Sequence, residues 1–148
     1  MPLVAKSVIV PHTCAALFAL VDAVEDYPAF LPWCSGAEVF ERSDRVTRAR
    51  IDIDYRGLRA AFTTRNAKRP PHEMDLALVD GPFERFEGRW RFAPLGEAGC
   101  RIELVMDYEL ASGAMQALLA PVFAHVAQTL VERFVERADA VGGQEGHA

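Results

Sequence analysis

The chain has 148 residues, of which 51% are hydrophobic and 25% charged, and its formal net charge is −5. This composition is typical of one globular domain and excludes a wholly disordered or low-complexity chain. The longest unbroken apolar run has eight residues, whereas a membrane span needs about 20, so we expect no membrane span. No secretory signal is visible at the N-terminus. The three widely spaced cysteines form neither a disulfide framework nor a metal-binding pair, which fits the cytoplasm.

Basic residues are concentrated in one segment of this acidic chain. Residues 42–69 contain eight arginines and one lysine against three aspartates, a local excess of +6. The net charge argues against a protein that coats nucleic acid by charge alone, so no DNA partner is expected. Arginine forks suit phosphate and carboxylate partners.

The N-terminal part predicts a strand followed by helical segments. Residues 3–11 contain a β-branched run that ends at a proline, which is typical of a strand. Thr13 can cap a helix that extends through about Val24, because the apolar residues there fall at helical spacing. Pro28 and Pro32 prevent a long helix in the aromatic segment that follows, so a short helical turn or loop is expected.

Residues 37–110 show a hydrophobic period of two, which predicts a series of strands. Their connections are too short for parallel crossovers, so the strands form an antiparallel meander with one covered face. The cover is a predicted helix from about Ser112 to Ala140. Pro121 either kinks this helix or divides it in two, and Gly142 with Gly143 is expected to end it.

The predicted fold class is therefore α+β, with a curved antiparallel β-sheet meander wrapped around a long C-terminal α-helix and short helices after the first strand. Residues 1–141 are expected to form one domain, and residues 142–148 a flexible C-terminal tail.

Motifs for catalysis or metal binding are missing from the sequence. The four histidines are scattered, and no GxSxG, P-loop or GxGxxG pattern occurs; we therefore predict no catalytic residues and no metal ligands. A few inward-facing polar residues could hydrogen-bond a carbonyl or hydroxyl but include no obvious general base. These residues are Thr47, Tyr55, Thr64, Asn66 and Tyr108.

Three stretches carry a resemblance to a known family. Residues 27–34, YPAFLPWC, resemble the YPxFLPWC signature of the coenzyme Q-binding and ribosome association toxin (RatA) family. Residues 81–92 resemble its GPFxxLxGxWxF stretch, with Phe86 in place of leucine, and residues 134–138 resemble its FxxRA ending. This family belongs to the START-like, or Bet v 1-like, helix-grip superfamily, and the resemblance runs from about Ala5 to Ala140.

The resemblance implies different functions for different members. Mitochondrial members bind ubiquinone, a bacterial member binds the large ribosomal subunit and blocks subunit joining, and wider relatives are called polyketide cyclases or dehydrases. Our first expectation is a non-enzymatic lipid-binding protein that holds a prenylated quinone, ubiquinone, between sheet and C-terminal helix and supports respiratory quinone use. A ribosome association toxin is the alternative, and a cyclase-like enzyme the lesser one. No obligatory cofactor is expected, and the location is cytoplasmic or peripheral at the inner membrane.

Two sets of candidate binding residues follow. The predicted ligand-binding residues are Tyr27, Phe30, Leu31, Trp33, Tyr55, Phe62, Leu78, Phe83, Phe86, Trp90, Tyr108, Met115, Leu119 and Phe123. The aromatic loop around Trp33 is either a packed plug or, together with the turn at residues 80–83, the mouth of a cavity that touches the bilayer transiently. The candidate ribosome or anionic-partner surface consists of Arg48, Arg50, Arg59 and Arg65; a solvated face with cross-strand ion pairs is the alternative.

Overall fold

The computed structural model describes residues 3–111 and 113–145. Within these residues, seven strands and three α-helices follow one another in the predicted order. The strands are β1 (Leu3–Val10), β2 (Cys34–Arg42), β3 (Val46–Tyr55), β4 (Leu58–Arg69), β5 (Glu73–Asp80), β6 (Phe83–Leu95) and β7 (Gly99–Leu110). The helices are α1 (Cys14–Asp22), α2 (Tyr27–Phe30) and α3 (Ala114–Glu145), with one 3₁₀ turn (Val24–Asp26) between α1 and α2.

The strands form one antiparallel sheet in the order β1-β7-β6-β5-β4-β3-β2. Strands β2 to β7 are a meander, and β1 completes the sheet by pairing with β7. In β3, β6 and β7 the buried side chains lie on the face of the sheet that the helices cover, and most of the alternate side chains are more exposed. The predicted fold class is therefore confirmed.

Helix α1 begins as predicted and ends slightly earlier. The Thr13 side chain accepts a hydrogen bond from the Ala16 backbone N–H at 3.1 Å, which is the expected N-cap. Ala23 leaves the helical region, with φ −81° and ψ 64°, so α1 ends at Asp22 rather than at Val24. Pro28 lies in the first turn of α2, where its missing N–H is not needed.

Helix α3 is a single helix that contains Pro121, so the alternative of two separate helices is wrong. It also continues through Gly142 and Gly143 to Glu145. Glycine costs only about 1 kcal/mol in a helix interior, which explains why two glycines do not end a helix of this length. The predicted helix stop is thus wrong and residues 142–145 are helical, while residues 146–148 lie outside the described residues. The division into domain and tail stays a prediction.

By length and composition alone, residues Ala117–Val141 of α3 could cross a membrane. The sequence predicted no span, because its unbroken apolar runs are too short. The apolar stripe of this helix, which includes Leu119, Val122 and Val126, is buried inside the protein. A helix at the centre of a sheet-wrapped core meets the same criteria, so we assign this segment to the core.

An ion pair between a buried lysine and a partly buried aspartate links α1 to the sheet. Lys68 on β4 is only 6% exposed, and its Nζ lies 2.9 Å from Oδ2 of Asp22 at the end of α1. The Thr47 hydroxyl on β3 donates to the other carboxylate oxygen at 2.7 Å. Arg42 on β2 donates to the Asp22 backbone carbonyl at 2.7 Å. Three neighbouring strands therefore fix the end of α1.

Strand β2 forms one edge of the sheet and is irregular. Its register with β3 shifts between Cys34 and Gly36 and again between Val39 and Glu41. Phe40 lies within the second shift and is exposed on the outer face. The Arg48 guanidinium carbon lies 5.0 Å from the centre of its ring, a distance typical of a cation–π contact.

Candidate functional site

An apolar cavity of about 70 Å³ lies between the concave face of the sheet, α3 and the segment that contains α1 and α2. Eight predicted ligand-binding residues line it. They are Tyr27, Trp33, Phe62, Phe83, Phe86, Trp90, Tyr108 and Phe123. The inward aromatic faces of β4, β6 and β7 thus converge on one space, and their role in binding stays a prediction.

Five other predicted residues lie outside this lining. Phe30 packs against the rings of Tyr27 and Phe134, at centroid distances of 6.0 and 5.4 Å, where α2 meets α3. Tyr55 stacks on His125 at 4.9 Å instead. The remaining three residues are Leu31, Leu78 and Leu119. The side chain of Met115 lies outside the described residues.

The site contains lining residues that the sequence reasoning did not select. They are Val21, Val24, Ala49, Ile51, Thr64, Asn66, Met74, Leu76, Met106, Val126, Ala127, Leu130 and Phe134. Most of them lie on the same face of a strand, or on the same apolar stripe of α3, as residues that were selected. The cavity also extends along α3 towards Phe134, away from the end near Met115 and Leu119 that was expected to contact a ligand.

The inward polar residues divide into three roles. Thr47 binds Asp22 and Tyr55 stacks on His125, so neither lines the cavity. Thr64, Asn66 and Tyr108 do line it. The Thr64 hydroxyl donates to Oδ1 of Asn66 at 2.8 Å, which fixes the orientation of the amide. The cavity is therefore apolar with a small polar region on β4.

No charged side chain is among the described residues that line the cavity. Burial raises the pKa of Tyr108, and burial together with the Asp22 carboxylate raises that of Tyr27, so both phenols are neutral. Burial also raises the pKa of the Cys34 thiol to about 11, which makes it a poor nucleophile. Within the described part of the chain, no group of histidine, cysteine and carboxylate side chains could hold a metal ion. This chemistry suits binding better than acid–base catalysis.

The aromatic loop before β2 is packed into the core. Trp33 is 3% exposed and lines the cavity, and Leu31 is buried beside it. The Trp33 Nε1–H is buried and has no hydrogen-bond acceptor among the described residues. This placement agrees with the plug alternative. Transient bilayer contact stays a prediction that these two buried side chains do not support.

The candidate arginine surface lies on the outer face of the sheet and is largely paired. Arg48 lies 3.9 Å from Glu41, Arg50 lies 3.0 Å from Asp52, and Arg59 lies 3.4 Å from Asp54. Arg65 makes no ion pair with any residue that the structure describes, and it lies directly opposite Arg48 in the β3–β4 register. The ion-paired face expected as the alternative is therefore present, and Arg65 is the one candidate arginine for which the described residues provide no ion-pair partner.

A curved antiparallel sheet that grips one long helix around an apolar cavity defines a START-like helix-grip protein. The chain belongs to the family described as polyketide cyclase / dehydrase and lipid transport, whose model matches residues 10–135. The resemblance seen in the three sequence stretches is thereby confirmed.

Its relatives carry different names. The ribosome association toxin RatA of Pseudomonas aeruginosa is 38% identical over 138 residues, which cover 93% of this chain and 96% of that protein. The mitochondrial coenzyme Q-binding protein COQ10 homolog B of Xenopus laevis is 24% identical, with 95% of this chain and 59% of that protein covered. The crystal structure of the Zhui aromatase/cyclase from a Streptomyces species superposes with a TM-score of 0.79 at 17% identity, covering 93% of each chain. This last similarity shows the fold alone.

Proposed function

We propose that this protein binds a prenylated quinone, or a similar apolar small molecule, in the cavity between the sheet and α3. The observation that carries the proposal is a cavity of about 70 Å³ whose described lining holds no charged side chain. Protein interiors are normally filled, and apolar cavities stay dry and take up apolar ligands. The Xenopus relative named for coenzyme Q binding supports the choice of ligand class.

The volume of the cavity sets a condition on binding. Pockets for drug-sized ligands measure roughly 300–1,000 Å³, so a quinone ring with a prenyl tail requires the cavity of about 70 Å³ to expand. Outward movement of α3 from the sheet is the simplest way to expand it. Each Å² of apolar ligand surface removed from water then contributes roughly 25 cal/mol. A ligand of this kind is collected from a membrane. We therefore propose that the protein is cytoplasmic and makes transient contact with the inner membrane.

Fluorescence titration tests this proposal directly, because both tryptophans of the chain, Trp33 and Trp90, line the cavity. A short-chain ubiquinone analogue should quench them, and mass spectrometry of lipid extracted from protein purified from its host should detect a quinone. Ala127→Leu adds bulk inside the cavity and should reduce quenching. Ala140→Leu makes the same change at an exposed position of α3 and should not. Absence of both quenching and co-purified quinone would contradict the proposal.

Association with the large ribosomal subunit is a second candidate function. It is favoured by the RatA relative, which is 38% identical over nearly its whole length, and by the excess of +6 in residues 42–69. Exposed ion pairs are worth about 0–1 kcal/mol each, so the paired arginines on the outer face can exchange their carboxylate partners for RNA phosphates. This function uses the outer face of the sheet and leaves the cavity unused.

Sucrose-gradient profiles of ribosomes with added protein test the second function. The parent chain should reduce subunit joining, and its binding should weaken steeply as salt increases. Charge reversal at Arg48, Arg50, Arg59 and Arg65 should abolish the effect while quinone quenching persists, since these side chains face outward. Arg133→Glu on α3 is the control reversal outside this face. Unchanged subunit profiles at high excess of the parent protein would count against ribosome association.

A further inference from the structure

One cavity-lining residue has hydrogen-bonding capacity that the protein does not use. Asn66 is 4% exposed, and its Oδ1 accepts a hydrogen bond from the Thr64 hydroxyl at 2.8 Å. No described residue accepts a hydrogen bond from its Nδ2. The amide therefore presents its two N–H donors without a protein acceptor in a cavity whose other walls are mostly apolar.

Such a donor is costly unless something pairs with it. Burial of an amide without a compensating hydrogen bond costs on the order of 1–3 kcal/mol, whereas a leucine of similar size would carry no such cost. The Trp33 Nε1–H also has no acceptor among the described residues, but it is fully buried. The donors that the lining offers to an occupant are therefore those of Asn66.

The neighbouring strands leave space next to this amide. Asn66 on β4 lies opposite Leu76 on β5, which lies opposite Gly88 on β6. The Leu76 side chain occupies the place of the missing side chain at Gly88, since a Cβ there would lie 2.8 Å from Leu76 Cδ1 and 3.2 Å from its Cγ. Gly88 therefore allows Leu76 to lean away from Asn66, so that an occupant can reach Nδ2.

We propose that Asn66 selects the ligand class of this cavity: a neutral, mostly apolar molecule whose ring carries a carbonyl or another acceptor oxygen. This inference rests on the proposed binding function and adds its specificity. A carboxylate ligand such as a fatty acid is disfavoured, because no cationic side chain is among the described lining residues. Lys68, the buried cation nearby on β4, is already paired with Asp22 at 2.9 Å.

Three probes of different chemistry test the inference. Ubiquinone-1 carries ring carbonyls, diphenylhexatriene is a hydrocarbon, and decanoate carries a charge; their dissociation constants are measured by tryptophan quenching or probe fluorescence. Asn66→Leu should raise the dissociation constant of ubiquinone-1 about tenfold, as expected for one lost hydrogen bond. The dissociation constant of diphenylhexatriene should change less than twofold. Gly88→Ala pushes Leu76 towards Asn66. It should therefore also weaken the binding of ubiquinone-1 more than the binding of diphenylhexatriene.

Control variants separate this inference from the underlying binding function. Met106→Leu changes the cavity wall without altering a donor, and it should affect ubiquinone-1 and diphenylhexatriene equally. If Asn66→Leu also affects both equally, or if decanoate binds as tightly as ubiquinone-1, the inference is wrong although the cavity binds ligands. Failure of the parent protein to bind any of the probes overturns the proposed function itself. If Asn66→Leu does not fold, Thr64→Val is the second variant, because it removes the hydroxyl that fixes the orientation of the Asn66 amide. Weaker binding of ubiquinone-1 alone supports the inference, and an equal effect on the binding of both neutral probes overturns it.

Discussion

Replacing Lys68 by methionine is expected to lower the free energy of unfolding by about 1.5–3 kcal/mol, because the Asp22 carboxylate loses its charged hydrogen-bond donor and keeps only the Arg42 guanidinium, 3.8 Å away, as a cationic partner. The ammonium group is almost fully buried and lies 2.9 Å from that carboxylate. Urea denaturation followed by circular dichroism measures the loss. Arg59→Met is the matched control: Arg59 is 83% exposed and pairs with Asp54 at 3.4 Å, so its replacement should cost less than about 1 kcal/mol.

The double variant Asp22→Asn with Lys68→Met distinguishes the charge from the packing at this position. Asparagine keeps an acceptor for the Thr47 hydroxyl but carries no charge that needs compensation. We expect the double variant to recover a large part of the stability lost in Lys68→Met. If the single variant costs less than about 1 kcal/mol, or if the double variant recovers nothing, the buried pair does not contribute as proposed.

Trp33→Ala is expected to destabilise the protein by about 3–5 kcal/mol, the range for removal of a large buried aromatic side chain. The ring is 3% exposed and forms part of the cavity wall. Thermal and urea unfolding measure the loss. Phe40→Ala removes an aromatic side chain from the exposed outer face and should cost only a small fraction of that amount.

A second variant tests the alternative role of this loop as a mouth for ligands. Trp33→Phe keeps most of the ring volume and removes the buried Nε1–H, so its stability loss should be much smaller than that of Trp33→Ala. Uptake of ubiquinone from liposomes is measured for both variants. Slower uptake by Trp33→Ala with an unchanged melting temperature would support the mouth and contradict the plug.

Strand β3 shows which part of the structure follows from local sequence. Ala49 and Ile53 are buried, and the intervening Arg50 lies on the solvent-facing side of the strand, because successive side chains of a strand point to opposite faces. The same alternation in the later strands, with connections too short for crossovers, was sufficient to predict the sheet and its cover by α3.

Position along a face was not predictable in the same way. Thr47 and Asn66 lie opposite each other on one face of neighbouring strands, yet Thr47 binds Asp22 and Asn66 lines the cavity. Tyr55 shares a face with Ile53 but meets His125 of α3. The alternation along a strand determines on which face of the sheet a side chain lies. The group that this side chain contacts depends on where the helices cross the sheet. That crossing is a tertiary property and leaves no periodic signal.

The two register shifts in β2 have a consequence for self-association. An edge strand exposes unpaired N–H and C=O groups, and a regular one offers a template on which another chain can add a strand. Irregularities next to Gly36 and at Phe40 interrupt that row of groups twice within nine residues. Glu38, Glu41 and Arg42 add charges along the same strand. Strand β2 thereby protects an open sheet with an exposed aromatic residue at its edge against edge-to-edge aggregation.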